Sequence, residues 1–217
     1  MEFAMQDITK LCADHLRAFS ENYGVKLKAS HAHELVAAFF GYKSRAALLA
    51  DTQYPLSNLP LANVIVLAPT APIDQRCKDL HKDIPPKFPD SYSLGEVIYT
   101  VLLAEKWLIS TPWSTYEQLA AHLADNYISQ NSIKKFYRAP IGENIKIEYK
   151  NDSICLTVLR FYQVLTEKIL LDGVISETNI TTTIWLKRIA GHIGYGKPQI
   201  SVELWMDGAR KTLSSLV

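Results

Sequence analysis

The hydrophobic period changes along this chain, and that change limits the folds open to it. In the first half, apolar residues recur at three- and four-residue steps. Over 6–23, Ile8, Leu11, Cys12, Leu16 and Phe19 keep the spacing of one helix face. After Pro140 the period falls to two. Ile145-Lys-Ile-Glu-Tyr149 alternates, Asn151-Asp152 supplies a turn pair, and Ile154, Leu156 and Val158 alternate on the return, which predicts a β-hairpin. Helical stripes followed by alternating strands make an α+β chain: a helical N-terminal half, then an antiparallel sheet with one or two helices.

Local punctuation divides the elements. Gly24 stops the first helix. Ser30 is predicted to cap a helix bearing Leu35, Val36, Ala38, Phe39 and Phe40, which Gly41 ends, and Ser44 to cap the next, with Ala47, Leu48 and Leu49. Pro55, Ser57, Asn58 and Pro60 predict a loop at 52–62, and the β-branched run at 63–68 a buried strand. Pro72 suits the first position of a short helix to about Leu80. Ser93-Leu-Gly-Glu96 and Ser114-Thr-Tyr-Glu117 are capping boxes, predicting helices to Ile109 and to about Ile128.

Val158, Tyr162, Leu165 and Ile169 fit a helical stripe over 158–171, ended by Asp172-Gly173. The Thr- and Ile-rich stretch 178–190 favours a strand. Gly191, Gly194 and Gly196 with Pro198 predict a turn, and 199–206 a last strand ending at Asp207-Gly208. Pro85, Pro86 and Pro89 make 83–90 the clearest linker. It would separate a helical region with one short strand, 1–82, from an α+β region, 91–217.

Composition narrows the function classes. No run of about 18 apolar residues exists, so no membrane span is expected. The start, Met1-Glu2-Phe3-Ala4-Met5, lacks the pattern of a secretory signal. Cys12, Cys77 and Cys155 are odd in number and far apart, which supports neither a zinc knuckle nor a disulfide framework. The expectation is a cytoplasmic protein with no metal and no cofactor. The net charge of +1 gives no global attraction to nucleic acid. The charge is uneven, however: 1–132 carries 11 basic and 14 acidic residues, and 133–217 carries 12 and 8. A mildly basic C-terminal face is one reading of that difference; uneven surface charge is the other.

The segment Leu27-Lys-Ala-Ser-His-Ala-His-Glu-Leu-Val-Ala-Ala-Phe-Phe-Gly41-Tyr-Lys-Ser-Arg-Ala-Ala-Leu-Leu-Ala50 resembles the helical segment of the glyoxalase-related protein domain. Ser30, Leu35, Ala37, Gly41, Tyr42 and Leu48 match that pattern, and Arg45 stands where an aromatic is usual. The matching elements are a cap, an apolar face and a turn. The family takes its name from domain neighbours, so the resemblance implies no glyoxalase activity. Such segments occur in proteins of plasmids and other mobile elements, which implies an accessory or regulatory role.

Each chemical constellation has a plainer explanation. His31 and His33 are two apart, so on a helix they point about 200° from each other, and no His-Glu-x-x-His motif completes them. Gly194-Tyr-Gly-Lys197-Pro198 lacks the length and the Lys-Ser/Thr of a phosphate loop, and reads as a hairpin turn. Cys155 has no neighbouring base in sequence and reads as a small packed or surface residue.

Two stretches mimic a helix-turn-helix. The first, 30–49, offers only Lys43, Ser44 and Arg45 as polar readers before turning apolar, which fits packing. In the second, a winged-helix-like arrangement within 93–158, Thr115–Ala124 would support a recognition helix over 129–138. That helix carries Gln130, Asn131, Lys134, Lys135 and Arg138, and the hairpin would be a wing with Lys146 and Lys150. A solvated helix face explains the same residues. Trp113, beside Pro112, is either a core residue or an anchor for a protein partner.

The reading favoured by sequence is a non-catalytic cytoplasmic binding or regulatory protein acting through protein contacts, in keeping with an accessory protein of a mobile element. A DNA-binding regulator using 115–158 is the alternative. An enzyme whose site is assembled from distant residues is the third class, because such sites leave no local trace.

Overall fold

The computed structural model describes residues 7–67, 71–80, 87–109, 111–130, 140–164, 176–206 and 209–216. In chain order the elements are helices α1 (Ile8–Glu21), α2 (Ala29–Phe39) and α3 (Arg45–Ala50), a 3-10 helix (Leu56–Leu61), strand β1 (Val64–Ile65) and helices α4 (Ala71–Asp79), α5 (Ser91–Ala104) and α6 (Tyr116–Gln130). Strands β2 (Gly142–Tyr149), β3 (Ser153–Val164), β4 (Ser176–Ala190), β5 (Gly194–Tyr195), β6 (Gln199–Met206) and β7 (Ala209–Leu216) follow. Helices dominate the first half and an antiparallel sheet the second, so the fold is α+β.

The chain forms two compact units. One holds residues 1–114 together with 188–195, the other 115–187 with 196–217. The division thus follows Ser114, and the proline-rich stretch lies inside the first unit, with 83–86 outside the described residues.

The first unit is built around α2. Ala32, Leu35, Val36, Ala37, Ala38 and Phe39 are all buried, more than one helix face, so neighbours must surround it. α1 contributes Cys12, Ala13 and Leu16 to this core, and α5 contributes Leu94, Ile98 and Leu102. The buried Ser20 hydroxyl donates to Leu16 O at 2.8 Å, which removes the cost of burying it. Asp7 caps α1 by accepting from Thr9 N at 3.0 Å. Burial opposes ionisation of Asp7, but bonds from Thr9 and Lys10 outweigh it and hold the carboxyl below its ordinary value.

Several caps differ from expectation. Lys28, not Ser30, precedes α2, and no side chain caps that helix. Asp90 caps α5, accepting from Ser93 N at 2.7 Å, so Ser93 lies inside a helix that ends at Ala104 rather than Ile109. Thr115 Oγ1, not Ser114, accepts from Gln118 N at 3.1 Å at the start of α6. At α5 the capping side chain lies three residues before the expected one and at α6 one residue after it, and sequence alone does not choose among neighbouring capping residues. Ser44 does cap α3, accepting from Ala47 N at 3.1 Å. The 52–62 loop contains the 3-10 helix.

The C-terminal excursion 188–195 closes this unit. β1 pairs with β5, and β5 with the end of β4, around the turn at Gly191. Gly191 has φ +51°, where an L side chain is strained, and a Cβ there would lie 2.7 Å from Leu56 Cδ2, so glycine is favoured. Arg188 bonds to the Asp51 carboxylate and to Gly191 O. Its guanidinium lies 4.5 Å from the centre of the Tyr54 ring. Tyr42 donates to Asp51 Oδ2 at 2.7 Å, and Gly191 N donates to Tyr54 O at 2.8 Å. This network joins the α2–α3 corner to residues near the end of the chain.

In the second unit, five antiparallel strands lie in the order β2, β3, β4, β6, β7. Ile154, Leu156 and Val158, Ile180, Ile184 and Leu186, and Ile200 and Val202 are buried on one face. α6 packs onto β2 and β3, turning inward Leu119, Ala120, Ala124, Tyr127 and Ile128. The described part of the predicted helix 158–171 is instead strand, since β3 runs to Val164. Val158 and Tyr162 are four apart, but Val158, Arg160 and Tyr162 also alternate. The charge at position 160 hides that alternation because Arg160 is itself buried. Its guanidinium bonds Glu143 Oε2 at 2.5 Å, Asp125 Oδ1 at 2.6 Å and Ala121 O at 3.3 Å. The strand predicted over 178–190 is β4. β7, mostly polar and at the sheet edge, was not expected.

Removing Asp51 strands the Arg188 cation in a half-dry setting, so Asp51→Ala should cost about 3 kcal/mol, read by urea unfolding. Burial opposes ionisation of Asp51, but the Tyr42 hydroxyl and Arg188 outweigh it and depress its pKa. A depressed carboxyl stabilises above its unfolded pKa and loses that contribution as pH falls through its native value. The stability gap between the wild-type chain and Asp51→Asn should therefore narrow as pH falls below about 4.

Candidate functional site

α5 carries apolar residues all the way round. Leu94, Ile98 and Leu102 enter the core, while Val97 is half-buried and Leu103 and Ala104 are exposed. The outer side of α5, which carries Tyr92, Glu96, Thr100 and Ala104, faces a groove of about 690 Å³ shared with α1, while Leu103 lies outside the lining. His15, Ala18, Phe19 and Asn22 form its α1 wall at helical spacing, and Tyr92, Glu96, Val97, Thr100, Val101 and Ala104 form much of its α5 wall. Phe19, Val97 and Val101 make an apolar floor, with Glu96 and Glu105 at the rim. Tyr92 stands 64% exposed at one end.

A smaller hollow of about 190 Å³ lies on the other side of Glu96 and contains Trp113, Pro112, Tyr99, Leu67 and Phe39. Trp113 is half-buried. Its backbone N donates to Ile65 O at 2.8 Å and its carbonyl accepts from Leu67 N at 2.9 Å, which fixes the residue beside β1. Trp113 thus lines this hollow beside β1.

Of the residues proposed for nucleic acid, only Gln130, Lys146 and Lys150 lie among the described residues. Asn131, Lys134, Lys135 and Arg138 lie outside the described residues. Gln130 is exposed at the end of α6, which runs unbroken through 125–128, where the helix-turn-helix reading needs a turn. Lys146 is exposed and lies 2.6 Å from Glu148. Its register partner is Thr157, so it projects from the sheet face opposite to Arg160, the face that α6 covers. Lys150 is exposed at the hairpin turn. The C-terminal charge excess also dissolves once the chain is divided as it folds. The first unit has 12 basic and 12 acidic residues, and the second has 11 and 10.

The other constellations have structural roles. Burial raises the Cys12 thiol to about 12 and the Cys77 thiol to about 11, which keeps both protonated. Cys155 is buried in the sheet. Gly194 and Tyr195 form β5, and the Tyr195 hydroxyl donates to His192 O at 2.8 Å. Among the described residues, no three His, Cys, Asp or Glu side chains gather to hold a metal ion. No described helix is long and apolar enough to cross a membrane.

Sequence reasoning missed the cluster of Tyr42, Asp51, Arg188 and His192, because its members lie far apart in the chain. Burial, then the Asp51 carboxylate, raises the Tyr42 phenol above its ordinary value, so it remains a donor. Burial and the neighbouring Arg188 lower the His192 imidazole, which packs 4.6 Å from the Tyr42 ring. The Asp51 carboxylate and the Arg188 guanidinium are engaged with each other and with the backbone, which makes the cluster a clamp.

No family model matches this chain, and neither a curated protein nor a solved structure matches it.

The groove residues differ from the core in what they do for folding. Exposed Thr100 and Tyr92 can change to Arg and Ala with stability within about 0.5 kcal/mol of wild type. Leu16→Ala or Ile98→Ala, in the core behind them, should cost about 2–5 kcal/mol. Chemical denaturation of the four variants measures the contrast.

Proposed function

We propose that this chain is a non-catalytic binding protein that acts through protein–protein contacts, with the α1–α5 groove and the adjoining Trp113 hollow as its contact surface. The observation that carries this reading is the open groove between α1 and α5, where the half-buried Phe19 and Val97 and the exposed Tyr92 lie among the exposed polar side chains Glu96, Thr100 and Glu105. An apolar floor with a polar rim is the composition of a protein interface, and exposed aromatics such as Tyr92 supply anchors. The regulatory, cytoplasmic part of the proposal rests on the cysteine usage and on the resemblance of residues 27–50.

Affinity purification from the native cell tests it, with protein and nucleic acid both identified. The expected result is a stoichiometric protein partner that survives moderate salt and is lost with Thr100→Arg. A partner equally retained by that variant defeats the proposal. So does a pure nucleic-acid complex that washes off with salt, which would favour the DNA-binding alternative.

A further inference from the structure

Resting on that reading, we infer that the α1–α5 groove takes one amphipathic α-helix of a partner protein, apolar on one face and flanked by lysine or arginine. Three features of the groove carry this.

The first is the backbone. Both walls are helices, whose main-chain groups are bonded within themselves. The groove therefore offers no strand edge to an extended peptide, which would have to leave buried N–H and C=O groups without partners. A helix satisfies its own backbone and needs nothing from the walls but packing.

The second is shape. The α5 wall runs from Tyr92 to Glu105, about 20 Å at helical rise, which suits a guest of three to four turns. Ala18, Thr100 and Ala104 are small and exposed along the groove. They let a third helix approach to within about 8–10 Å of its neighbours' axes, the spacing of packed helices.

The third is charge. Among the described residues, the lining contains two carboxylates, Glu96 and Glu105, and no lysine or arginine. A guest with basic flanks pairs with both. A second copy of this chain, meeting the same face across a two-fold axis, would bring carboxylates against carboxylates with no lysine or arginine among the described lining residues to relieve them.

The test is to pan an unbiased phage-displayed library of random 16-residue peptides on the full chain. Recovered binders are expected to carry apolar residues at three- and four-residue steps, a net positive charge and helical circular dichroism when bound. Their binding should weaken about fivefold with Glu96→Gln plus Glu105→Gln, the effect of losing two exposed ion pairs. It should disappear with Thr100→Arg, whose fold is checked by its unfolding midpoint. Binders that are acidic or proline-rich, binding indifferent to Thr100→Arg, or no binder at all would overturn the inference. So would a dimer in light scattering that Thr100→Arg dissociates, which would make a second copy the occupant. If panning fails while Thr100→Arg still loses the cellular partner, the protein-contact reading stands and only the basic helix is lost. If that variant keeps its cellular partner, both fall.

Discussion

Arg188 holds the first unit together where its sequence is most scattered. The helices before residue 114 have their own apolar faces, and the short return at 188–195 buries Ala190, Ile193 and Tyr195 against them and is fixed by specific bonds as well. Arg188 supplies them: the Asp51 carboxylate, the Gly191 carbonyl and the Tyr54 ring all meet one guanidinium. A planar cation with five donors is suited to this, because it can satisfy several acceptors at once in fixed directions. The Tyr42 hydroxyl completes the Asp51 carboxylate, and Gly191 makes the turn that brings its own carbonyl within reach.

The second unit solves a similar problem with the same side-chain chemistry. Arg160 sits among apolar residues, where an unpaired charge would be costly, and is neutralised by Glu143 and Asp125. It connects β3 to both β2 and α6. In both units the most buried ionisable clusters hold structure together. The α1–α5 groove differs from these clusters in that its apolar and polar side chains meet at an open surface. Binding there draws on packing, which the groove's small residues permit, and gains direction from the two glutamates.

Much of the fold was legible in the residues, but the groove was not. The helical period of 6–23, the alternation of 145–149 and 154–158 and the glycine at 41 each rest on neighbours close in the chain. Trp113 was singled out from sequence, but as a core residue or an anchor rather than as part of a hollow. The nucleic-acid reading grouped Gln130 with Lys146 by nearness in sequence. The sheet separates them, because α6 and Lys146 lie on opposite faces. Residues 158–164 read as helix because their alternation passes through a buried arginine, and a charged residue is normally counted as exposed.

By itself the sequence determined the class of most elements and the order in which helices give way to strands, since propensity, capping and hydrophobic period act over a few residues. Only the tertiary structure decided that Asp51 meets Arg188, that residues 188–195 return to the first unit, and that α1 and α5 leave a groove between them. Those pairings join segments distant along the chain. Their free energy comes from contacts that exist only after the intervening residues have packed, and no local pattern encodes them.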